Sequence, residues 1–381
     1  MILRQIFAPA LLLAATNAPA AGDFVFASNF DGAWISGYYV GYQAGLYPIA
    51  DVDFAALTHL VVGRVVPNAD GTLNTSFDID ATHGPTWAKQ ATAAAHAHGV
   101  KALLMLGGAG EQAGWIGAAS SAHRATFVAN LLQVADDYTF DGFDLDWEPL
   151  TASDQPDFIR LAQALRAAKP GLILTVPVGW INANFASPQD AFYGSIAPLF
   201  DQINIMSYGM AGDWDGWESW YTSAVTDAGV NTPSSVASSA AYYLAAGVPS
   251  SRLGVGIGFY GMCWTGVSGA RQSSGSEIAD DNVMSYENIM TQYYSAAWYQ
   301  YDATAMAPSL GAAAAFGPAS GPKCNFVSYE DPASVTAKGS FALQNKLGGT
   351  IIWTIGEGHQ SELPAGQRDP LLEAVRAAFR P

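Results

Sequence analysis

The run Asp141-Gly142-Phe143-Asp144-Leu145-Asp146-Trp147-Glu148 governs the reading of the whole chain. Its last three acids recur at every second residue. On a β-strand that period sends Asp144, Asp146 and Glu148 to one face and Leu145 and Trp147 to the other. Neighbours on one face of a strand lie about 6.6 Å apart, so three carboxyls there cannot all ionise without strong mutual repulsion. At least one should hold a proton, which is how a carboxylic acid serves as a general acid near neutral pH, and the group should titrate as a unit. Single Asp residues at strand ends commonly cap turns or face solvent, and Asp141, out of phase with the other three, is read that way. Clustered carboxylates also bind Mg²⁺ or Ca²⁺. No His-rich or second carboxylate cluster of similar density stands at another strand end, so neither a metal nor another cofactor is expected.

Working outward, short apolar or β-branched runs alternate with Ala-rich amphipathic stretches. The strands are expected at Ile35 to Val40, Leu57 to Val66, Val100 to Leu106, Phe140 to Asp146, Leu172 to Pro177, Gln202 to Tyr208, Leu253 to Tyr260 and Gly349 to Thr354. Helices are expected at Trp87 to His98, Arg124 to Tyr138, Gln155 to Ala168, Ser234 to Ala246, Ser334 to Lys346 and Pro370 to Phe379. This alternation is that of an α/β protein, a (β/α)8 TIM barrel. The acidic run then ends its fourth strand, and Glu148 stands at the carboxyl end, where barrel enzymes build their sites. Barrel interiors are normally filled by Val, Ile and Leu, so three in-phase acids there need a purpose or a partner. The spacing breaks between Tyr260 and Tyr329, in a stretch rich in Gly, Ser, Tyr and Trp. It is read as a small α+β insertion, residues 262–326, on the seventh βα connection of a catalytic barrel spanning 21–381.

The chain has 16 Lys and Arg against 33 Asp and Glu, a formal charge of −17, so nucleic acid and anionic membrane surfaces are poor partners. Aromatic residues reach 12%, more than a barrel core needs, and some are expected to line a cleft. Arg4, the apolar run Ile6 to Thr16 and Ala18-Pro19-Ala20 form a signal-peptide pattern over residues 1–20. Secretion without a membrane anchor is expected, into the medium or a periplasm. Export makes a disulfide between Cys263 and Cys324 reasonable, two buried thiols being the alternative.

At Asp141, Asp144, Asp146 and Glu148 the chain resembles glycoside hydrolase family 18, the chitinases and related endo-N-acetylglucosaminidases, whose signature is Asp-x-x-Asp-x-Asp-x-Glu on the fourth barrel strand. The likeness extends from Gly37-Tyr38-Tyr39 through Thr58-His59-Leu60 and Met206-Ser207-Tyr208 to Gly348-Gly349-Thr350-Ile351-Ile352-Trp353. It implies hydrolysis of β-1,4 bonds between N-acetylglucosamine units, with retention and with the substrate's own acetamido group as nucleophile. Glu148 would be the acid and base, Asp146 would support the acetamido nitrogen, Asp144 would hold Asp146, and Tyr208 would bond the acetamido oxygen. Trp353 would floor the reacting sugar, with Tyr38, Met206, Gly107, Gly108, Asp213 and Tyr260 as further substrate contacts. Chitin or N-acetylglucosamine oligosaccharides are the partners implied, and a monomer is expected.

The chain departs from the family pattern at several places. Met105 stands where the third strand usually has Ser, and Ala109 where a leaving-group tryptophan often stands, leaving Trp115 or another loop aromatic to substitute, or a weaker site. Gly209 replaces a frequent Asp and Met262 a frequent Arg. Trp214, Trp217, Trp220 and Trp264 are candidates for outer sugar subsites or, equally, for core. Two other functions stay open: a non-catalytic glycan-binding protein on the same barrel, and an endo-β-N-acetylglucosaminidase acting on N-glycans. Retention of Glu148 weighs against the first.

Overall fold

The computed structural model describes residues 32–185 and 191–380; the expected signal peptide lies outside them. Eight parallel strands close into a barrel: β1 (Trp34–Val40), β2 (His59–Pro67), β3 (Lys101–Ala109), β4 (Gly142–Glu148), β5 (Ile173–Gly179), β6 (Gln202–Met206), β7 (Leu253–Gly258) and β8 (Gly349–Trp353). Each pairs with its sequence neighbours, and β8 pairs with β1 to close the ring. The fold is the expected (β/α)8 barrel.

The helices cover the strands from outside. They are α1 (His83–Ala97), α2 (Gln112–Ala119), α3 (Arg124–Tyr138), α4 (Gln155–Ala168), α5 (Ala191–Ile196), α6 (Val236–Ala245), α7 (Pro332–Gln344) and α8 (Pro370–Phe379). The starts of α6 and α7 are fixed by reciprocal caps, Ser235 with Ser238 and Asp331 with Ser334, each satisfying backbone N–H groups that the first turn leaves unpaired. Sequence periodicity does not announce α2, because Gly114 and Gly117 are poor helix formers. Both face the β2 exit: a methyl on Gly114 would lie 2.0 Å from the Pro67 carbonyl oxygen, so close packing outweighs propensity there.

Alternation along β4 sorts its side chains. Leu145 and Trp147 join the large core between strands and helices, where Trp147 stacks on Trp115 at 5.1 Å and meets Phe158 edge-on at 6.2 Å. Asp144 and Asp146 point inward. The barrel interior holds a smaller cluster of Tyr38, Val40, Val61, Leu103, Met105 and Ile351. Asp141 neither caps a turn nor lies free in solvent. Its carboxylate accepts from the Ala102 N–H at 2.9 Å, from Lys101 Nζ at 2.9 Å, and pairs with His96, tying the start of β4 to β3.

Between β7 and α7 the chain forms a five-stranded antiparallel sheet of Ser276–Ala279, Met262–Thr265, Cys324–Ser328, Ala307–Phe316 and Tyr299–Asp302, in that spatial order. Cys263 and Cys324 are joined by a disulfide with their Cα atoms 5.3 Å apart. Trp220, Trp264 and Met262 are buried in the sheet's own core with Phe326 and Tyr221.

Candidate active site

Parallel register sets the acids against defined partners. Met105 and Thr175 flank Asp144, Gly107 flanks Asp146, and Ala109 flanks Glu148. A cavity of about 530 Å³ opens at the carboxyl ends of these strands. Asp146, Glu148, Tyr38, Met206, Tyr208, Trp353 and Gly108 line it, together with Val40, Tyr42, Arg64, Asp78, Met105 and Ala109.

Asp144 lies beneath the cavity, 1% exposed. Tyr38 donates to its Oδ2 at 2.7 Å and Thr175 to its Oδ1 at 2.5 Å. Burial pushes its carboxyl up to about 6, against these two hydrogen bonds, which favour the anion. The Met105 departure therefore leaves Asp144 supported from β1 and β5. Thr175 escapes the motif reading; the signal for it is a hydroxyl in an inward phase of the apolar run Ile173 to Val178.

Asp146 is 3% exposed, and its carboxyl is raised far above the ordinary range by burial, then by the charges of Glu148 and Asp144. Burial raises Glu148 as well. Both carboxyls are raised and they share a hydrogen bond, so the two hold one proton between them and titrate as a unit. Oδ1 of Asp146 is buried and accepts no hydrogen bond from a donor among the described residues. An unpaired buried acceptor is costly, and Asp146 lines the cavity. Arg64 opposes the upward shift of Asp146. Its guanidinium is held by Asp78 at 2.9 Å, Glu111 at 3.1 Å and the Gly107 carbonyl at 3.0 Å.

The hydroxyl of Tyr208 is raised by burial and by the surrounding Tyr260, Asp146, Glu148 and Asp144, so it stays a neutral donor. Trp353 tilts at 56° to Tyr38 with ring centres 5.3 Å apart. Three of the expected contacts lie outside the lining of this cavity. Gly107 lies behind the wall against Trp115; Tyr260 stands behind Tyr208, ring centres 6.1 Å apart; and Asp213 is exposed on the loop after β6. Trp115 cannot replace the missing leaving-group tryptophan, because it is fully buried under Gly107. Met262 likewise faces the inserted sheet's core instead of the cavity. Trp214 is exposed beside Trp180 and Trp217. Among the described residues no three His, Cys, Asp or Glu are placed to hold a metal ion, and no helix is long and apolar enough to cross a membrane.

Residues 35–358 match the family model of the glycosyl hydrolases family 18. A class V chitinase of Arabidopsis thaliana is 25% identical over 342 residues, covering 84% of this chain and 86% of that protein. The structure of the Ostrinia furnacalis group IV chitinase in complex with allosamidin superposes with a TM-score of 0.75 at 25% identity, over 91% of this chain and 98% of that one. A chitinase-like agglutinin of Robinia pseudoacacia shares the fold, with a TM-score of 0.71 at 22% identity, over 90% of this chain and 98% of its own.

Proposed function

This chain belongs to glycosyl hydrolase family 18, a family of glycoside hydrolases, and from that footing we propose that it cleaves β-1,4-linked N-acetylglucosamine chains such as chitin, with retention of configuration. The observation that carries the reading is the inward ladder Asp144, Asp146 and Glu148, whose upper two carboxyls line the cavity. An acetamido N–H on the reacting sugar would donate to the Asp146 carboxyl. The acetamido carbonyl oxygen would then be turned toward the anomeric carbon, with the neutral Tyr208 hydroxyl as donor to it.

Glu148, at the rim, receives the proton shared with Asp146 and delivers it to the glycosidic oxygen as the C–O bond breaks. The acetamido oxygen forms the new bond to the anomeric carbon, giving an oxazolinium. Asp146 is then anionic beside the developing positive charge, and Asp144 holds it in place. Water attacks the anomeric carbon, Glu148 accepts its proton, and the acetamido group is released. The bound substrate supplies the nucleophile with the advantage of proximity, so a second catalytic carboxylate at nucleophile distance is unnecessary.

Trp353 forms the floor under the reacting sugar, its apolar face stacking on the pyranose ring. Met206 and Tyr38 close the pocket around it. Export belongs to the same proposal. It is supported by the residue 1–20 pattern and by the Cys263–Cys324 disulfide, a bond that oxidising compartments preserve.

The test is Glu148→Gln assayed on N-acetylglucosamine oligomers, their deacetylated counterparts and an N-glycopeptide. Turnover of the acetylated oligomers should fall by about 10² to 10⁴ while their binding remains measurable. Deacetylated oligomers should resist the wild-type protein. Unchanged turnover in the variant would overturn the assignment. Binding of oligomers by the wild type without cleavage would mark a glycan-binding protein, and preferential cleavage of the glycopeptide an endo-N-acetylglucosaminidase.

A further inference from the structure

The inserted segment meets the cavity-lining Trp353 through Asp281, on the short turn Asp281–Met284. Oδ1 of Asp281 accepts a hydrogen bond at 3.2 Å from Nε1 of Trp353, which ends β8 and lines the cavity. Its Oδ2 accepts from Asn282 Nδ2 at 2.9 Å. Oδ1 of Asn282 accepts from Gln43 Nε2 at 2.6 Å, and Oε1 of Gln43 accepts from Thr354 Oγ1 at 2.5 Å. Thr354 is the residue after Trp353. A chain of hydrogen bonds, drawn from the end of β1, the inserted segment and the end of β8, therefore links the indole of the tryptophan to the residue that follows it.

Two further observations bear on Asp281. Its φ is +39°, in a region that side chains other than glycine occupy at a cost. Glycine would relieve the backbone but would remove the carboxylate. Such conformations persist where the surroundings over-determine them, and they cluster at functional positions. Glu357, fully buried on the turn after β8, accepts from the Thr354 N–H at 3.4 Å, and burial followed by the charge of Asp281 raises its carboxyl far above the ordinary range. The cleavage chemistry proposed above uses neither acid.

We propose that Asp281 is a positioning residue that fixes the rotation of the Trp353 indole, so that the inserted segment sets the floor beneath the reacting sugar. Ring contact with Tyr38 supplies packing, yet packing alone leaves an indole some freedom about its side-chain torsions. A directed N–H bond to a carboxylate removes that freedom. Stacking sites need their supporting groups held closely, because small misplacements of the reacting geometry are expensive in rate. The proposal rests on the reading of Trp353 as the floor for an N-acetylglucosamine chain.

The experiment compares wild type, Asp281→Ala, Asp281→Asn, Trp353→Phe and the double variant Asp281→Ala/Trp353→Phe in hydrolysis of the N-acetylglucosamine tetramer, with thermal midpoints recorded for each. Asp281→Ala should lower kcat about tenfold with KM changed much less, since the sugar still binds but is held off its reactive geometry. Asp281→Asn keeps an oxygen that accepts from the indole and should recover most of that loss. Phenylalanine has no N–H, so adding Asp281→Ala to Trp353→Phe should cost nothing further. If the two losses multiply, or if the folded Asn variant is as slow as the Ala variant, Asp281 acts by another route and the proposal is overturned. The Asn and Phe variants decide the matter even if Asp281→Ala does not fold. A wild type that leaves the tetramer intact overturns the substrate reading and takes this proposal with it.

Discussion

The hydroxyl of Tyr38 on β1 donates a 2.7 Å hydrogen bond to Oδ2 of Asp144 on β4, two strands that share no edge in the barrel. The bond therefore crosses the interior. With Thr175 on the other oxygen, Asp144 has little freedom to turn, and the ladder above it inherits that fixed base. The arrangement also sets the proton balance of the acids. Burial favours neutral Asp144, while the two donors favour its anion.

Replacing Tyr38 by Phe removes one donor and keeps the ring against Trp353. A hydrogen bond to a charged form lowers the pKa of that form, so losing it moves the Asp144 titration upward from about 6. The acidic limb of the kcat/KM profile should shift to higher pH. Near pH 5 the rate constant should fall about tenfold, the worth of a charge-assisted bond. A pH–rate profile of Tyr38→Phe that overlays the wild type would show that Asp144 does not govern that limb.

Asp144→Asn should exchange activity for stability. The native carboxyl titrates at about 6 against an ordinary 3.8, so the folded state binds this proton more tightly than the unfolded chain. The contribution is most favourable below 3.8, declines as pH rises toward 6 and is level above that. Asn carries no charge and escapes the decline. Above pH 6 the variant should be more stable by up to about 3 kcal/mol, with turnover strongly reduced. Urea unfolding of both proteins at pH 4 and pH 8 checks this: the gap between them should be present at pH 8 and shrink at pH 4.

The acids were legible in the sequence because a strand has period two, and phase alone sends Asp144, Asp146 and Glu148 inward. The same logic placed Leu145 and Trp147 on the outer face, where the structure has them. Barrel order followed from alternation of strand and helix. Burial of aromatics could not be read that way. Trp115, Trp220 and Trp264 have the composition of a sugar platform but pack into cores, and only tertiary contacts separate the two cases. Asp281 was invisible for a related reason: its partner, Trp353, lies 72 residues further along the chain. Gly107 and Gly108 read alike as a pair, yet one faces the core and the other the cavity.

The disulfide joins neighbouring strands of the inserted sheet across a sequence separation of 61 residues. Closing a loop of that size in the unfolded chain is worth about 4 kcal/mol in the chain-entropy model. The Cys263→Ala/Cys324→Ala protein should be less stable by that order in denaturant unfolding, and reductant should destabilise the wild type while leaving the variant unchanged. A difference below about 1 kcal/mol would show that the reduced chain keeps structure in this segment or that native strain offsets the gain.

The Gly107 and Gly108 pair gives the sharpest separation of stability from binding. Gly107 has φ +91°, and an added methyl would lie 2.2 Å from Trp115 Nε1 and 2.5 Å from the Asp146 carbonyl oxygen. Trp115 cannot yield, because it is buried and stacked on Trp147. Gly107→Ala should therefore destabilise by about 3 kcal/mol or more, through strain at a positive φ and overpacking together. Gly108 also has a positive φ, +101°, but a methyl there would meet Arg64 Nη1 at 3.2 Å and the Met105 methyl at 3.3 Å, looser contacts than those at Gly107 and to side chains instead of backbone. Its replacement by Ala should cost less stability, roughly 1 to 2 kcal/mol, and should raise KM because the methyl sits in the cavity wall. Thermal midpoints and oligomer kinetics on the two variants provide the check: equal loss of stability, or an unchanged KM for Gly108→Ala, would contradict the assignment of one glycine to packing and the other to the substrate.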